Sequence, residues 1–395
     1  MENANITDKL LRNRNLQIIF LITLMAVMGV ASISPAFPGI REYFGLSKAQ
    51  IAYIVAAFTL PGIFLTPVMG IMADRLGRKS IVIPALILFG VAGFACMFTR
   101  NYATLILFRF FEGVGAASLG SLNITLIGDL FSGPKRTEAM GYNASVLSIG
   151  TASYPAIGGF LAHFGWYYPF ILPLLAIPVA IIVLMGLNNP EPIDKQRLRT
   201  YLRNTWKIIN QLEVWLLFSV STLIFVVLYG VYITFFPSFL TIKLSASAIQ
   251  IGLIMSVFSL VTAITSSQLK RIHRLIPVKI QLILSFALYT TALLLLSFVN
   301  TWGFLFIPLI CFGIGHGMVI PGLQNLLVGY APLKERAAFM SINSMVLRIG
   351  QTVGPLFIGM FFTLGGIEWV FYSGALVSCV MLVIGFFIRI SQAPD

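Results

Sequence analysis

Long apolar runs separated by short polar stretches make up most of this chain. Twelve runs can be marked, with centres near residues 27, 60, 90, 115, 150, 177, 225, 257, 288, 315, 349 and 379. A helix needs about 20 apolar residues to cross the hydrocarbon core of a bilayer. Since backbone polar groups in lipid must be satisfied within the segment, the runs predict twelve transmembrane helices. The short alternating segments typical of a membrane β-barrel do not occur.

The widest polar stretch covers 188–211 and divides the twelve runs into two sets of six. It contains two prolines and, between Lys195 and Lys207, five bases. We interpret it as a linker on the cytoplasmic side. The predicted fold class is therefore an all-α polytopic membrane protein with two six-helix bundles, residues 1–187 and 212–395.

The two halves also repeat each other at an offset of 200 residues, which is the signature of a duplicated unit. The matching pairs are Arg136 with Arg336, Met140 with Met340, Asn143 with Asn343, Gly150 with Gly350, Pro155 with Pro355 and Gly159 with Gly359. Slightly upstream, Gly113 and Gly115 match Gly315 and Gly317 at an offset of 202. The repeat predicts that the two bundles are pseudo-symmetric.

Charge is scarce and unevenly distributed. The 395 residues are 58% hydrophobic and 10% charged, whereas soluble domains carry about 25% charged residues. Of the 26 Lys and Arg residues, twenty fall on the side of the predicted membrane that holds both termini, and four fall on the other side. Because cytoplasmic loops carry such an excess, we expect both termini in the cytoplasm. The net charge of +13 thus reflects topology and does not indicate a nucleic-acid partner.

The loop between the second and third spans concentrates charge in the sequence GIMADRLGRK, residues 70–79. Its pattern, G-x-x-x-D-R-x-G-R-K, resembles the corresponding loop of major facilitator superfamily transporters. The residues on the motif positions are Gly70, Asp74, Arg75, Gly77, Arg78 and Lys79. The resemblance implies a gating role for them, with Asp129 of the fourth span as an acid that pairs with Arg78. In the family, such contacts join the bundles in the outward-facing state. The alternative is that these bases only set topology.

Two charges lie inside the fourth span. Arg109 is about six residues into it, roughly 9 Å deep at 1.5 Å per residue, and Glu112 lies on the same helical face at i+3. Such charges are costly in a membrane, so they usually pair and face the protein interior. The stretch resembles the family's fourth-helix motif, which is linked to proton coupling and usually has an amide where Glu112 stands. We expect a proton-handling pair, with a static ion pair as the alternative.

The fifth span carries a run of small residues around a proline. It resembles the family's antiporter motif, G-x-x-x-G-P-x-x-G-G, which is associated with exporters, although Tyr154 stands where glycine is usual. Small residues let helix backbones approach closely. The residues predicted to pack helices together are Gly150, Pro155, Gly158 and Gly159 in the fifth span, and Gly354 and Pro355 in the eleventh.

Other polar and aromatic residues within the spans are candidates for binding a substrate. Arg348, about eleven residues into the eleventh span, has no acid in the C-terminal spans to neutralise it. It is predicted to bind an anionic group or to meet Glu112 across the cavity. The remaining candidates are His316, Tyr154, Tyr232, Phe236, Gln324 and Asn343. For the histidine and the aromatic residues, a packing role is the alternative.

Within the superfamily, the chain resembles the twelve-span drug:proton antiporters. The resemblance implies proton-coupled export of an amphiphilic organic compound from the cell by rocker-switch alternating access. We expect a monomer in the cytoplasmic membrane whose partners are the substrate, protons and lipid. The first span lacks the acid found in many multidrug members, which favours neutral, zwitterionic or anionic substrates.

Two alternatives stay open at this stage. One is an importer or facilitator of a small neutral or anionic metabolite, and the other is a non-transporting scaffold or receptor. The G-x-x-x-x-G-K-[ST] nucleotide motif is absent, so energy must come from gradients. The spans contain no Ser-Lys dyad, Asp pair or His-Glu metal pattern. We therefore expect no enzyme activity, cofactor or metal site.

Overall fold

Twelve long apolar helices form the structure, which is a computed structural model describing residues 10–188, 210–330 and 336–388. No β-strand occurs among these residues. The spans are α1 Arg14–Tyr43, α2 Ile51–Ala73, α3 Arg78–Phe98, α4 Tyr102–Leu130, α5 Gly133–Phe164, α6 Tyr168–Gly186, α7 Leu212–Leu244, α8 Ala248–Ser267, α9 Val278–Ser297, α10 Trp302–Tyr330, α11 Ile342–Gly365 and α12 Ile367–Phe387. The prediction of twelve membrane-spanning helices is confirmed. The helix of α2 continues to Leu76, and that of α11 begins at Arg336.

Three spans change helix type near a proline, one of them being α6, in which a 3-10 stretch at Tyr168–Leu175 precedes the α-helix Ala176–Gly186. In α1, a 3-10 turn at Ser34–Ala36 separates the helices Arg14–Ala31 and Phe37–Tyr43. In α7, a π-helical stretch at Val227–Phe235 precedes Pro237. Proline has no N–H to donate and its ring crowds the preceding turn, so the chain departs from α-helical geometry nearby. Such irregular turns often mark functional positions in helices.

Local signals define where the spans begin. Asn13 accepts a hydrogen bond from the backbone N–H of Leu16, and Asn101 accepts one from Ala103. A side-chain oxygen in this position satisfies an N–H group that has no partner within the helix. Gly77 has a φ of 90° at the turn between α2 and α3. Only glycine adopts this conformation readily, so this turn explains why the charged loop has its second glycine, Gly77.

Buried apolar side chains form two clusters. The first contains residues between Leu10 and Leu187, and the second contains residues between Val214 and Ile388 together with Ala52. In the first half, α4 packs against α1, α2 and α3, and in the second half, α9 packs against α10 and α12. Each half thus has its own core. The linker predicted at 188–211 lies almost entirely outside the described residues.

Two helix pairs, α2 with α11 and α5 with α8, bring the halves together. We call this contact the interbundle seam. Both described chain ends, residues 10 and 388, lie at the same side of the twelve spans, which we call the termini side. The opposite side, where α1 ends and α2 begins, is the far side.

Candidate functional site

Arg109 and Glu112 form an ion pair inside the first bundle, 2.7 Å from Arg109 Nη1 to Glu112 Oε2. Both side chains are 0% exposed. Arg109 Nη1 also donates to the carbonyl of Gly29 in α1 at 3.0 Å. The guanidinium lies 4.3 Å from the centre of the Phe58 ring of α2, close enough for a cation–π contact. The pair therefore joins α4 to α1 and α2.

The pair is not fully satisfied by these contacts. Arg109 Nη2 and Glu112 Oε1 are buried and have no hydrogen-bond partner in the protein. A Cβ at Gly93 of α3 would lie 3.0 Å from the carboxyl carbon of Glu112, so glycine leaves the room that the carboxyl occupies. A buried carboxylate held by one arginine has one oxygen left to accept a proton, and protonation would weaken its attraction to the arginine.

The charged loop contains the ion pair expected for Arg78. Its Nε lies 2.9 Å from Asp129 Oδ2, and both side chains are partly buried. The pair joins α3 to α4, so both partners belong to the first bundle in this conformation. Lys79 Nζ donates to the carbonyl of Leu184 at the end of α6 at 3.0 Å. Arg75 is exposed. The structure does not describe the side chain of Asp74.

In the far half of the seam, the bundles are in direct contact. The hydroxyl of Thr352 in α11 donates to that of Thr59 in α2 at 2.8 Å, and both residues are buried. A Cβ at Gly359 would lie 3.7 Å from the Cβ of Ala52, and Lys48 lies 5.5 Å from the centre of the Phe362 ring. These contacts hold α2 and α11 together in the far half of the seam.

The second pair of seam helices is closer still. A Cβ on Gly159 of α5 would come within 2.9 Å of the Cα of Gly252 in α8, and a Cβ on Gly252 would come within 3.0 Å of the Cα of Gly159. Glycine at both positions therefore permits backbone contact across the seam. Toward the termini side the situation reverses. Among described residues, a Cβ at Gly70 of α2 or Gly141 of α5 would have no neighbour within 4 Å.

Arg348 lies on the seam and is partly exposed. Its Nη1 donates to Gln351 Oε1 at 3.1 Å. A Cβ on Gly62 of α2 would come within 2.9 Å of Arg348 Cδ and Nε, so this glycine provides the space for the side chain. Glu112 is paired with Arg109 instead, and the contact between Arg348 and Glu112 considered from the sequence is not formed.

Three aromatic candidates and His316 lie in the cores of the bundles. The hydroxyl of Tyr232 donates to the carbonyl of Met255 at 2.9 Å, and its ring stacks on Phe236. His316 Nδ1 is hydrogen-bonded to the Tyr289 hydroxyl inside the second bundle. Tyr154 is buried in the first cluster. A substrate role for these residues stays a prediction, because in this conformation their contacts are with the protein itself.

Gln324 and Asn343 lie together in a small pocket of the second bundle. The pocket is lined by Ser221 and Phe225 of α7, Ile320, Leu323, Gln324 and Leu327 of α10, and Asn343 and Leu347 of α11. Asn343 is 3% exposed, and its Oδ1 has no partner. Its repeat counterpart, Asn143, accepts a hydrogen bond from Thr23 at 2.6 Å. The two asparagines thus occupy equivalent positions in the repeat but differ in their hydrogen bonds.

The predicted packing residues lie at close helix contacts. A Cβ on Gly158 would overlap the backbone of Ser32 in α1, and one on Gly150 would lie 3.0 Å from Leu24 of α1. In the second half, a Cβ on Gly354 would lie 2.7 Å from the backbone of Val226 in α7. Pro155 and Pro355 lie inside their helices, α5 and α11. The motif glycines thus hold α5 against α1 and α8, and α11 against α7.

Sequence reasoning missed four residues of the seam. Thr59 and Thr352 are unremarkable threonines that the sequence gives no reason to connect, since 293 positions separate them. Gly62 and Gly252 are glycines inside apolar runs. Their residue type could have indicated a helix contact, because glycine inside a span often marks a close approach of two helices. Their partners, Arg348 and Gly159, were identified. Among the described residues, no group of three His, Cys, Asp or Glu side chains could hold a metal ion.

Comparison with known proteins gives consistent matches along the chain. The family model described as Major Facilitator Superfamily matches residues 19–244 and again residues 218–395. The chain is 26% identical over 371 residues to Quinolone resistance protein NorA of Staphylococcus aureus (strain MSSA476), covering 89% of this chain and 90% of that protein. It is 26% identical over 353 residues to the Bacillibactin exporter of Bacillus subtilis (strain 168), covering 85% and 86%.

A solved structure of a mutant of the nucleoside transporter NupG superposes with a TM-score of 0.79. The sequences are 14% identical, and the alignment covers 95% of this chain and 100% of that one. At this identity, the likeness shows a shared fold.

Proposed function

The chain belongs to the major facilitator superfamily and is a membrane transporter, and we propose that it exports an amphiphilic organic compound in exchange for protons. The proposed cycle is alternating access, in which two six-helix bundles rock about a substrate site between them. One observation carries the proposal: the bundles touch in the far half of the seam, whereas in the termini half a Cβ at Gly70 or Gly141 would have no described neighbour within 4 Å. A substrate site between the bundles would then open toward the termini side.

We place the termini side in the cytoplasm. Twenty of the 26 Lys and Arg residues fall there, which is the distribution of a cytoplasmic face. With this assignment the described conformation is inward-facing, and the protein belongs in the cytoplasmic membrane. An exporter would collect its substrate from the cytoplasm in this conformation.

The charged loop is the proposed gate on that side. In the outward-facing state, the termini halves of the bundles must approach each other, and no described residue lies within 4 Å of a Cβ at Gly70 to block this approach. Arg78 and Asp129 hold the ends of α3 and α4 together. We propose that Asp74, Arg75 and Lys79 contact the second bundle when that side closes.

Proton coupling is assigned to Arg109 and Glu112. Among the described acids, Glu112 has a fully buried side chain with an unpartnered oxygen. Adding a proton would neutralise the carboxylate and loosen its hold on Arg109, which also contacts α1 and α2. The pair therefore links a change of protonation to the packing of three helices.

Two observations support export as the direction. The fifth span carries most of the antiporter-type motif, and its glycines form close contacts on α1 and α8. A relative at 26% identity is named an exporter. A second candidate function is uptake or facilitated passage of a small neutral or anionic metabolite. The anionic case is favoured by Arg348 on the seam, which has no acidic partner among the described residues.

Reconstitution tests the proposal. Protein in liposomes containing a pH-sensitive dye should move protons when candidate amphiphiles are added, and a proton gradient should drive the same compounds against their concentration gradient. Asp74→Asn should slow both processes while the protein still inserts and purifies as a single species. Arg271→Gln, at an exposed base of the same side, is the control. If the substrate moves without protons, the protein is a facilitator and the proposed proton coupling is wrong. If neither the substrate nor protons move, the proposal is overturned.

A further inference from the structure

We propose that Arg348 is an anion-recognition residue, and that the transported compound carries a carboxylate or a comparable anionic group that pairs with it on the interbundle seam. The inference rests on the proposed function and narrows it to a substrate class. It starts from the balance of charges inside the spans. In the first bundle, Arg109 and Glu112 neutralise each other. In the second bundle, Arg348 has no acidic partner among the described residues.

The surroundings of Arg348 contain no described carboxylate. Its contacts are the Gln351 side chain, which accepts one hydrogen bond, and Tyr229 of α7, which lies near enough to interact electrostatically. A guanidinium has five N–H donors, so these neutral groups leave most of its hydrogen-bonding capacity unused. An intramembrane charge is costly, and it is kept where it serves a ligand or a partner.

The position of Arg348 is suited to a ligand between the bundles. It lies twelve residues beyond Arg336, about 18 Å along the helix axis at 1.5 Å per residue. On its far side the seam is closed by the hydrogen bond between Thr352 and Thr59. The residue is nevertheless partly exposed. Toward the termini side from this level, a Cβ at Gly70 of α2 or Gly141 of α5 would have no described neighbour within 4 Å.

The opposing helix is shaped around this side chain. Gly62 of α2 lies so close that a single methyl group there would come within 2.9 Å of Arg348 Nε and Cδ. The first bundle thus leaves room for a cation contributed by the second bundle. A ligand bound to Arg348 would lie against both bundles, which is where a compound must bind if it is to respond to their rocking motion.

The chemistry of the guanidinium defines the ligand. Its planar fork of N–H groups matches the two oxygens of a carboxylate or the oxygens of a sulfonate or phosphate. Apolar groups dominate the spans around it, so the rest of the ligand should be apolar. The predicted class is an aromatic or aliphatic compound with one anionic group, and lipophilic cations should bind poorly.

Binding to the purified full-length protein tests this inference. The probes are naphthylacetate, its neutral analogue naphthylacetamide, and a naphthylmethyl trimethylammonium, with dissociation constants obtained from quenching of the intrinsic tryptophan fluorescence. The carboxylate should bind at least about tenfold more tightly than the amide, as expected of a charge-assisted hydrogen bond. Arg348→Gln should bring this ratio close to one, and Arg348→Lys should retain part of it. Arg271→Gln is the control and should keep the full ratio.

Gly62→Ala provides a second variant if Arg348→Gln does not fold. It preserves the charge but displaces the guanidinium, so the ratio should fall by several-fold. A ratio near one in the wild-type protein, or an undiminished ratio in Arg348→Gln or Gly62→Ala, would overturn the inference. The proposed function is judged separately. If the wild-type protein transports the amide and the ammonium compound without preferring the carboxylate, only the anion assignment fails, and if it transports none of the probes, the proposed function fails.

Discussion

At the scale of single residues, Glu112 and Arg109 are the most constrained pair in the molecule. Their positions inside a span could be predicted, because charged residues in an apolar run must pair and turn inward. The sequence did not indicate that both side chains are completely buried. Both are fully buried within one bundle, and they contact Gly29 and Phe58 rather than the seam. Any proton that reaches Glu112 must therefore pass through the packing of the first bundle.

Glu112→Gln is the sharpest residue-scale test. Glutamine has almost the same shape and still offers an oxygen to Arg109, so the protein should fold, but the side chain cannot take up or release a proton. We expect transport to lose its dependence on a pH gradient while downhill movement of substrate persists. Transport in liposomes with and without an imposed gradient measures this.

The matched control for that variant is Glu368→Gln. Glu368 is paired with Lys243 at 2.5 Å near the far end of α12 and is partly exposed. Its neutralisation should leave the gradient dependence intact. If Glu112→Gln protein also responds to the gradient as the wild type does, the pair is a structural ion pair and the proton site lies elsewhere.

At the scale of helices, the contact between α5 and α8 depends on two glycines, one from each half. The run of small residues in the fifth span predicted that Gly159 would pack against another helix, but such a run cannot say which helix lies opposite. The structure identifies the neighbour as α8 and the facing residue as Gly252. Close packing of two backbones contributes dispersion energy that any side chain between them would remove.

Gly159→Val should therefore destabilise this conformation. The added atoms would meet the backbone of Gly252 and Ala248, and overpacking of this kind costs about 1–3 kcal/mol. A lower thermal unfolding midpoint of the purified protein would report the effect. Gly141→Val in the same helix is the control, since among described residues nothing lies within 4 Å of a Cβ there. Equal midpoints for the two variants would contradict the assignment of the seam.

At the scale of the whole molecule, the two bundles must separate on the far side if the protein alternates its access. The Cβ of Ala52 and a Cβ built on Gly359 are 3.7 Å apart, within the 3.5–4.5 Å range for the Cβ atoms of a disulfide. Ala52→Cys with Gly359→Cys, in a background without Cys96, Cys311 and Cys379, should thus cross-link under oxidising conditions. The cross-link should stop transport, and a reductant should restore it.

Each single cysteine variant is the control for the cross-link and should transport equally well under oxidising and reducing conditions. Gel mobility after proteolysis of the 188–211 region distinguishes joined from separate halves. A protein that transports at the normal rate while fully cross-linked would exclude rocking of the bundles about the seam.

The sequence alone determined twelve spans, the division into two repeated halves, the charged loop and the buried pair in α4. These follow from the length of apolar runs, from charge placement and from internal similarity, which are properties of local sequence in a lipid environment. The tertiary structure decided which side chains meet across hundreds of positions, such as Thr59 with Thr352 and Gly62 with Arg348. It also placed Tyr232 and His316 in the core of a bundle. Whether a polar or aromatic residue faces a partner residue, the core of a bundle or an opening depends on how the helices are rotated and packed against one another. The order of residues along the chain does not reveal these rotations.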